Sequence, residues 1–205
     1  MTPLDAFLAH ADVAALARRL AARPGRQLEI DAAGRYAAIA LVLRASGVGE
    51  PELLMIKRAE MERDPWSGHV ACPGGRMEPA DRDLEQTAIR ETWEETGVDL
   101  AEHGRILGTL DDIRPRSPHL PPLVIRPFVA VAEPTIEIAP SNEVAEAFWV
   151  PLSAIRESTA WGREMVRVRG VGEREESVFR HGEYLVWGLT HRALTQFLSL
   201  LQPPS

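Results

Sequence analysis

One stretch constrains this chain more than any other: residues 72–98, which read CPGGRMEPADRDLEQTAIRETWEETGV. A Pro-Gly-Gly turn opens it, a polar loop follows, and it closes in a helix-forming run carrying Glu91, Glu94 and Glu95. On a helix, positions i, i+3 and i+4 share a face, so the three carboxylates project to one side within a single turn. Like charges so crowded repel one another unless something neutralises them. A hard divalent cation is the natural partner, because it takes oxygen ligands and commonly bridges to phosphate. Arg90 can pair with Glu94 at i+4 or hold Glu91 in place, and Gly97 stands at the C-terminal glycine position of the helix. Gly74 and Gly75 lack side chains, so the backbone there can approach a metal or a phosphate closely. An acidic helix face alone is usually just solvated. The glycine turn, Arg90 and Gly97 together point to metal ligands instead.

The stretch resembles the signature of the Nudix hydrolase family, G-x5-E-x7-R-E-U-x-E-E-x-G-U, where U is a bulky aliphatic. Residues 90–98 read RETWEETGV, preceded by Gly75, with Thr92 at an aliphatic position. The loop is one residue longer than the signature. Counting back from Arg90 puts Arg82 at the first glutamate, and counting forward from Gly75 puts Asp81 there. Asp81 and Asp83 are the candidates to replace it. Just upstream, Leu53-Leu54, Lys57-Arg58-Ala59, Arg63, Gly68 and Cys72-Pro73-Gly74-Gly75 are similar to the motif of the coenzyme A pyrophosphatase branch. Met55 and Cys72 replace a threonine and a phenylalanine of that motif.

The resemblance implies an α/β fold, the Nudix α/β/α sandwich with a mixed β-sheet between helices. It would cover about residues 36–201, within a domain at 26–205 that follows an extra N-terminal helix at 1–25. It implies hydrolysis of a pyrophosphate linkage with Mg²⁺ or Mn²⁺, water attacking one phosphorus. Glu94 and Glu95 would be the principal ligands, Glu91 a ligand or the base oriented by Arg90, and the Gly75 carbonyl a further oxygen. Family members often add an acid from a late loop; Glu143 suits that placement, with Glu146 as the alternative. Coenzyme A or its thioesters lead as substrate, ahead of ADP-ribose and other nucleoside diphosphate sugars. A non-catalytic nucleotide sensor is disfavoured by the intact R-E-x-x-E-E core. An isoprenoid diphosphate isomerase would need a reactive cysteine, and Cys72 is the only thiol.

Composition bounds the rest. A chain of 205 residues is a single domain by default, with room for a sizeable core. A net charge of −7 argues against nucleic acid as partner, though not against a small anionic substrate held through a metal. One cysteine permits no internal disulfide and suits the reducing cytoplasm. Beside the glycine turn it reads as a small buried filler. No signal-like N-terminus and no apolar run of ~20 residues is present, so a cytosolic protein off the membrane is expected.

In chain order, residues 4–22 have the spacing of an amphipathic helix, stopped by Pro24-Gly25, that either caps the fold or mediates a homodimer. Residues 36–44 and 52–58 read as a hairpin, and 69–71 as a short strand leading into the glycine turn. Arg58 and Arg63 are candidates to contact phosphates, since guanidinium recognises them bidentately. Trp66 is expected to close the core and His69 to be structural. Residues 105–113 and 122–132 read as strands, with Pro127 marking an edge or a bulge. The proline-rich loop between them offers Arg114, Arg116 and His119 to an anionic ligand. Residues 147–150 read as a strand turning at Pro151-Leu152 into a short helix. Residues 164–169 and 175–180 read as a second hairpin, and 185–201 as a long amphipathic helix with His191 facing outward.

Overall fold

The computed structural model describes residues 1–29, 34–61, 66–115, 122–168 and 172–202. Its centre is strand β1 (Arg35–Ala45), and the run YAAIALVL explains why. Such a strand is apolar on both faces, so it must be covered on both. Ala38, Ala40 and Val42 enter one hydrophobic cluster, while Leu41 and Leu43 enter another. β1 pairs in parallel with β6 (Leu123–Ala132), from Arg35↔Leu123 to Leu43↔Val131. On its other edge it meets β2 (Pro51–Arg58) only from Leu43↔Leu53 to Ala45↔Pro51. The two strands then part, and the returning chain fills the opening. β3 (Val70–Ala71) pairs with β2, and β4 (Gly74–Arg76) pairs with β1. That fork carries the Pro-Gly-Gly turn into the body of the sheet. β7 (Val144–Pro151) lines the outer edge of β2, and β5 (Gly104–Thr109) lines β6, which completes seven mixed strands.

Helices cover both faces, as expected. Helix α3 (Leu84–Thr96) and the short α4 (Leu100–His103) lie over the alanine-rich face, where Leu84, Ala88, Val98 and Leu100 are buried. The other face carries α1 (Pro3–Leu8), α2 (Ala11–Ala22), α5 (Leu152–Arg156) and α6 (Gly188–Leu201). Phe7, Leu16, Leu20, Ile155, Leu194 and Phe197 pack there with Leu41, Leu43 and Val129. A second sheet of β8 (Trp161–Val168), β9 (Gly172–His181) and β10 (Tyr184–Trp187) contributes Phe179 and Val186 to the same core.

Several local expectations need correction. The N-terminal segment is two helices rather than one. His10 turns to extended geometry (ψ 136°), and its Nδ1 accepts the Asp12 N–H at 3.3 Å, starting α2 afresh. Residues 185–187 belong to β10, because Tyr184-Leu-Val-Trp pairs with β9 from Tyr184↔His181 to Trp187↔Val178, and α6 begins only at Gly188. Strand β5 ends at Thr109, with Ile113 rejoining β6 through a lone bridge to Ile125. Pro127 lies in a central strand and not at an edge. Its carbonyl accepts from Leu110 N–H just past the last β5 pair, so its missing N–H faces the gap before that bridge. The bulge is on the partner strand, between Ile106 and Gly108. Trp66 is 38% exposed and does not close the core. His191 is half-buried, edge-on to Trp161 at 5.3 Å, and burial lowers its pKa.

The segment after β5 is fastened by one buried ion pair. Arg126 Nε and Nη2 donate to Asp112 Oδ1 and Oδ2, each at 2.9 Å, and Asp112 Oδ2 also accepts Leu28 N–H at 2.8 Å. The Asp112 side chain is fully buried. Breaking such a pair leaves a buried guanidinium without its counter-charge. Asp112→Ala is therefore expected to cost roughly 3–5 kcal/mol, read as a lower midpoint of urea unfolding.

Candidate functional site

Helix α3 is specified at both ends. Asp83 is its N-cap, Oδ1 accepting Gln86 N–H at 2.8 Å, and Gly97 is its C-cap in the left-handed region (φ 72°). Its inward stripe is Leu84, Thr87, Ala88, Thr92, Glu95 and Thr96. Those residues are small where the helix meets the sheet. The threonine hydroxyls are bonded inside the helix, Thr92 to the Ala88 carbonyl at 2.6 Å and Thr96 to the Thr92 carbonyl at 2.5 Å. Thr92 thus occupies an aliphatic position without stranding a buried hydroxyl.

The three glutamates of the helix are not equivalent. Glu94 is on the rim, with its side chain 48% exposed. Glu91 is half-buried, and burial raises its pKa despite Arg90, with Glu94 and Glu143 adding to the rise. Glu95 is buried, its Oε2 accepts Gly74 N–H at 2.8 Å, and Arg58 Nη1 stands 3.7 Å from its Oε1. Burial outweighs both contacts and pushes the Glu95 carboxyl up to about 7, with Glu91 and Glu143 contributing in the same direction.

Arg90 organises the cluster, and all five of its N–H groups are engaged. Nε and Nη2 donate to Asp81 at 3.0 and 2.9 Å, Nη1 donates to Glu91 and Glu94 at 2.9 Å each, and Nη2 also donates to the Arg76 carbonyl at 3.1 Å. The acid beneath it is Asp81. That carboxylate also accepts Glu78 N–H and the Thr87 hydroxyl, each at 2.9 Å, and its pKa is lowered chiefly by Arg90. Of the candidates for the first acid of the signature, Asp81 therefore underlies Arg90. Asp83 caps the helix, and Arg82 is an exposed partner of Asp83. Thr87 was not marked by anything in the sequence, since its role exists only once the loop folds back onto the helix.

The glycines act through what they lack. A Cβ on Gly75 would lie 2.3 Å from Glu91 Oε1, and one on Gly74 (φ 151°) would lie 2.3 Å from the Ala38 carbonyl oxygen. Ala40 N–H donates to Pro73 and Met77 N–H to Tyr36. Strand alternation then turns the polar groups of Gly75 towards β1 as well, and those of Gly74 and Arg76 towards α3. The carbonyl on the carboxylate side is that of Gly74, not that of Gly75 as expected.

The remaining candidates divide. Glu143 is brought in: Ala59 N–H donates to its carbonyl at 2.8 Å, Ser141 N–H donates to the Glu95 carbonyl at 3.0 Å, and its charge acts on Glu91 and Glu95. Glu146 is held by the Tyr184 hydroxyl at 2.5 Å. Arg58 reaches the cluster, whereas Arg114 turns to the Glu29 carbonyl. Arg63, Arg116 and His119 lie outside the described residues. His69 packs against Trp187 with centroids 4.7 Å apart. Cys72 is buried and its thiol is pushed up to about 12, which makes it a filler and not a nucleophile.

Among the described residues no three His, Cys, Asp or Glu side chains form a ready-made metal cage. The donor set still suits a hard cation. It is all oxygen, and Glu91, Glu95 and Glu143 bear on one another as like charges that a cation would offset.

A family model for the NUDIX domain matches residues 34–168. The chain belongs to the Nudix family, and its fold is that of the Nudix hydrolases. It is 40% identical over 108 residues to an uncharacterized protein of Schizosaccharomyces pombe, C14C4.10c, covering 50% of this chain and 32% of that one. It is 34% identical over 168 residues to the mitochondrial coenzyme A diphosphatase NUDT8 of Homo sapiens, covering 81% of this chain and 70% of that one. It is 36% identical over 109 residues to the peroxisomal coenzyme A diphosphatase ndx-8 of Caenorhabditis elegans, covering 52% of this chain and 44% of that one. The chain thus spans from a third to two thirds or so of these relatives. Among solved structures, a C. elegans Ap4A hydrolase complex aligns with a TM-score of 0.48 at 23% identity, covering 58% of this chain and 81% of that one.

The two aspartates near the start of α3 should separate in a stability test. Asp81→Ala removes the acid that takes two hydrogen bonds from Arg90 and one from the buried Thr87 hydroxyl, while Glu91 and Glu94 still pair with Arg90, and is expected to cost about 2–3 kcal/mol. Asp83→Ala removes only a helix cap and is expected to cost about 1 kcal/mol. Thermal and urea unfolding of the two variants measures the difference.

Proposed function

We propose that this chain is a metal-dependent hydrolase that cleaves the pyrophosphate linkage of a nucleoside diphosphate derivative, with coenzyme A or one of its thioesters as leading substrate. The observation that carries the reading is the Arg90 network. It orders Glu91 and Glu94, beside buried Glu95, against a glycine turn whose backbone is open to close approach. The substrate preference is supported by the names of the human and nematode relatives and by the run from Leu53 to Gly75. ADP-ribose or another nucleoside diphosphate sugar is the alternative, since it contains the same reactive bridge. The single buried thiol suits a reducing compartment such as the cytoplasm, although these two relatives are named for mitochondria and peroxisomes. No helix among the described residues is long and apolar enough to cross a membrane.

Mg²⁺ or Mn²⁺, when bound, offsets the charge of the pyrophosphate oxygens and makes a bound water more acidic. Glu95, Glu91 and Glu94 would hold it, together with the Gly74 carbonyl in place of that of Gly75. The protein's own groups do the rest. Glu91, with its carboxyl raised by burial, accepts the proton of the attacking water while Arg90 fixes its orientation. The water oxygen bonds to one phosphorus and the bridging P–O bond breaks, leaving two phosphate monoesters. Arg58 faces the phosphates from the end of β2, and Glu143 closes the acidic side of the site.

Glu95→Gln is expected to lower Mg²⁺-dependent turnover of coenzyme A by at least about 100-fold with the fold intact, because loss of a ligand exceeds the 10–100-fold typical of a group behind one. Turnover within a few fold of the unaltered chain would sink the assignment. Protons also compete with the cation for Glu95. Its carboxyl is raised to about 7, so it is mainly protonated below that pH and ionised above it. Mn²⁺ should therefore bind the metal-free protein about tenfold more weakly at pH 6 than at pH 8, as titration calorimetry can measure.

A further inference from the structure

Thr87 is fully buried, one helical turn before Arg90 and Glu91. A threonine inside a helix ordinarily turns its hydroxyl back to the carbonyl four residues earlier. Thr92 and Thr96 do so, donating to the Ala88 and Thr92 carbonyls. Thr87 differs. Its hydroxyl stands 2.9 Å from Asp81 Oδ2 and 3.3 Å from the Asp83 carbonyl, the one four residues earlier. A hydroxyl has one proton to donate, and the shorter, charged acceptor takes it. Thr87 therefore reaches out of its helix to the loop acid that lies beneath Arg90.

That contact closes a ring. Asp81 Oδ1 and Oδ2 accept Arg90 Nε and Nη2 at 3.0 and 2.9 Å, and Arg90 Nη1 donates to Glu91 and Glu94 at 2.9 Å each. Helix α3 thus meets itself through Asp81: from Thr87 to the carboxylate, from the carboxylate to the guanidinium, and back to the helix at Arg90. The other bond to Asp81 comes from Glu78 N–H, in the loop that carries Asp81 itself, so it does not fix the acid relative to the helix. A long arginine side chain can direct two carboxylates only if its far end is held. The Arg76 carbonyl holds one edge of the guanidinium at 3.1 Å, and Thr87, through Asp81, holds the other. The Asp81 side chain is 2% exposed, so solvent does not stand in for the hydroxyl.

We propose that Thr87 is a positioning residue for the hydrolysis: through Asp81 it fixes the Arg90 guanidinium, and with it the directions of Glu91 and Glu94. The inference rests on the hydrolase reading above and deepens it, by adding a group that touches neither metal nor substrate. Thr87→Val keeps the branched shape and removes the hydroxyl. Thr87→Ser keeps the hydroxyl and removes the methyl.

Two measurements on these variants test it. In the first, NMR follows the Arg90 Nε–H of the metal-free protein as it exchanges into D2O. Exchange should be about tenfold faster in Thr87→Val, the scale of one charge-assisted hydrogen bond, and should return close to that of the unaltered chain in Thr87→Ser. In the second, Mg²⁺-dependent hydrolysis of coenzyme A should show kcat about tenfold lower in Thr87→Val, with KM within about twofold, and kcat regained in Thr87→Ser. Unchanged exchange in Thr87→Val overturns the hold on Arg90. A lowered melting temperature with kcat unchanged overturns the positioning role and leaves the hydroxyl a matter of stability alone. Should the unaltered chain cleave no nucleotide pyrophosphate, the hydrolase reading fails, and the exchange rates still decide whether Thr87 holds Arg90. Melting curves establish that both variants fold.

Discussion

The site depends on one guanidinium. Arg90 spends two hydrogen bonds on the acid beneath it, one on the backbone of the glycine strand and one on each of two acids of its own helix. Its planar fork can satisfy all of these at once, which an ammonium could not. The result ties three parts of the chain together: the loop at Asp81, β4 at Arg76 and helix α3. Without it, Glu91 and Glu94 would lose their shared tether, and of its contacts to α3 Asp81 would keep only the Thr87 hydroxyl.

The sheet supplies the second condition. β1 and β2 separate after three pairs, and the gap admits the Pro-Gly-Gly turn, which meets α3 edge-on. Alanines on the underside of β1 and small residues on the inward stripe of α3 let the helix come close. That closeness is what buries Glu95. A carboxylate at such depth has a raised pKa, and the energetic cost of keeping it charged is one that a cation can remove. Stability and chemistry are therefore in tension at this residue, as is common where ionisable groups are held for function.

Much of this was legible beforehand because it is local. The spacing of Glu91, Glu94 and Glu95 follows from the period of a helix, and the cap at Gly97 from the left-handed geometry that glycine tolerates. The strand at the centre of the sheet announced itself by being apolar on both faces. What failed had equally definite causes. The tetrapeptide at 184–187 and the helix after it form one unbroken apolar pattern, and only pairing with β9 makes the first part a strand. Trp66 is apolar by type and exposed by position. Arg114 is a different case: it keeps the right chemistry for a phosphate, and its guanidinium donates to the Glu29 carbonyl.

The sequence by itself determined the chemistry: which acids lie on one helical face, which arginine sits among them, and that the backbone beside them is bare. Those are properties of neighbours along the chain, governed by covalent spacing. Tertiary structure decided the ranking. It buried Glu95 and exposed Glu94, chose Asp81 over Asp83 as the counter-charge of Arg90, and turned the Gly74 carbonyl and not that of Gly75 towards the acids. Each of these depends on desolvation or on register between strands distant in sequence, and neither quantity exists until the sheet has formed.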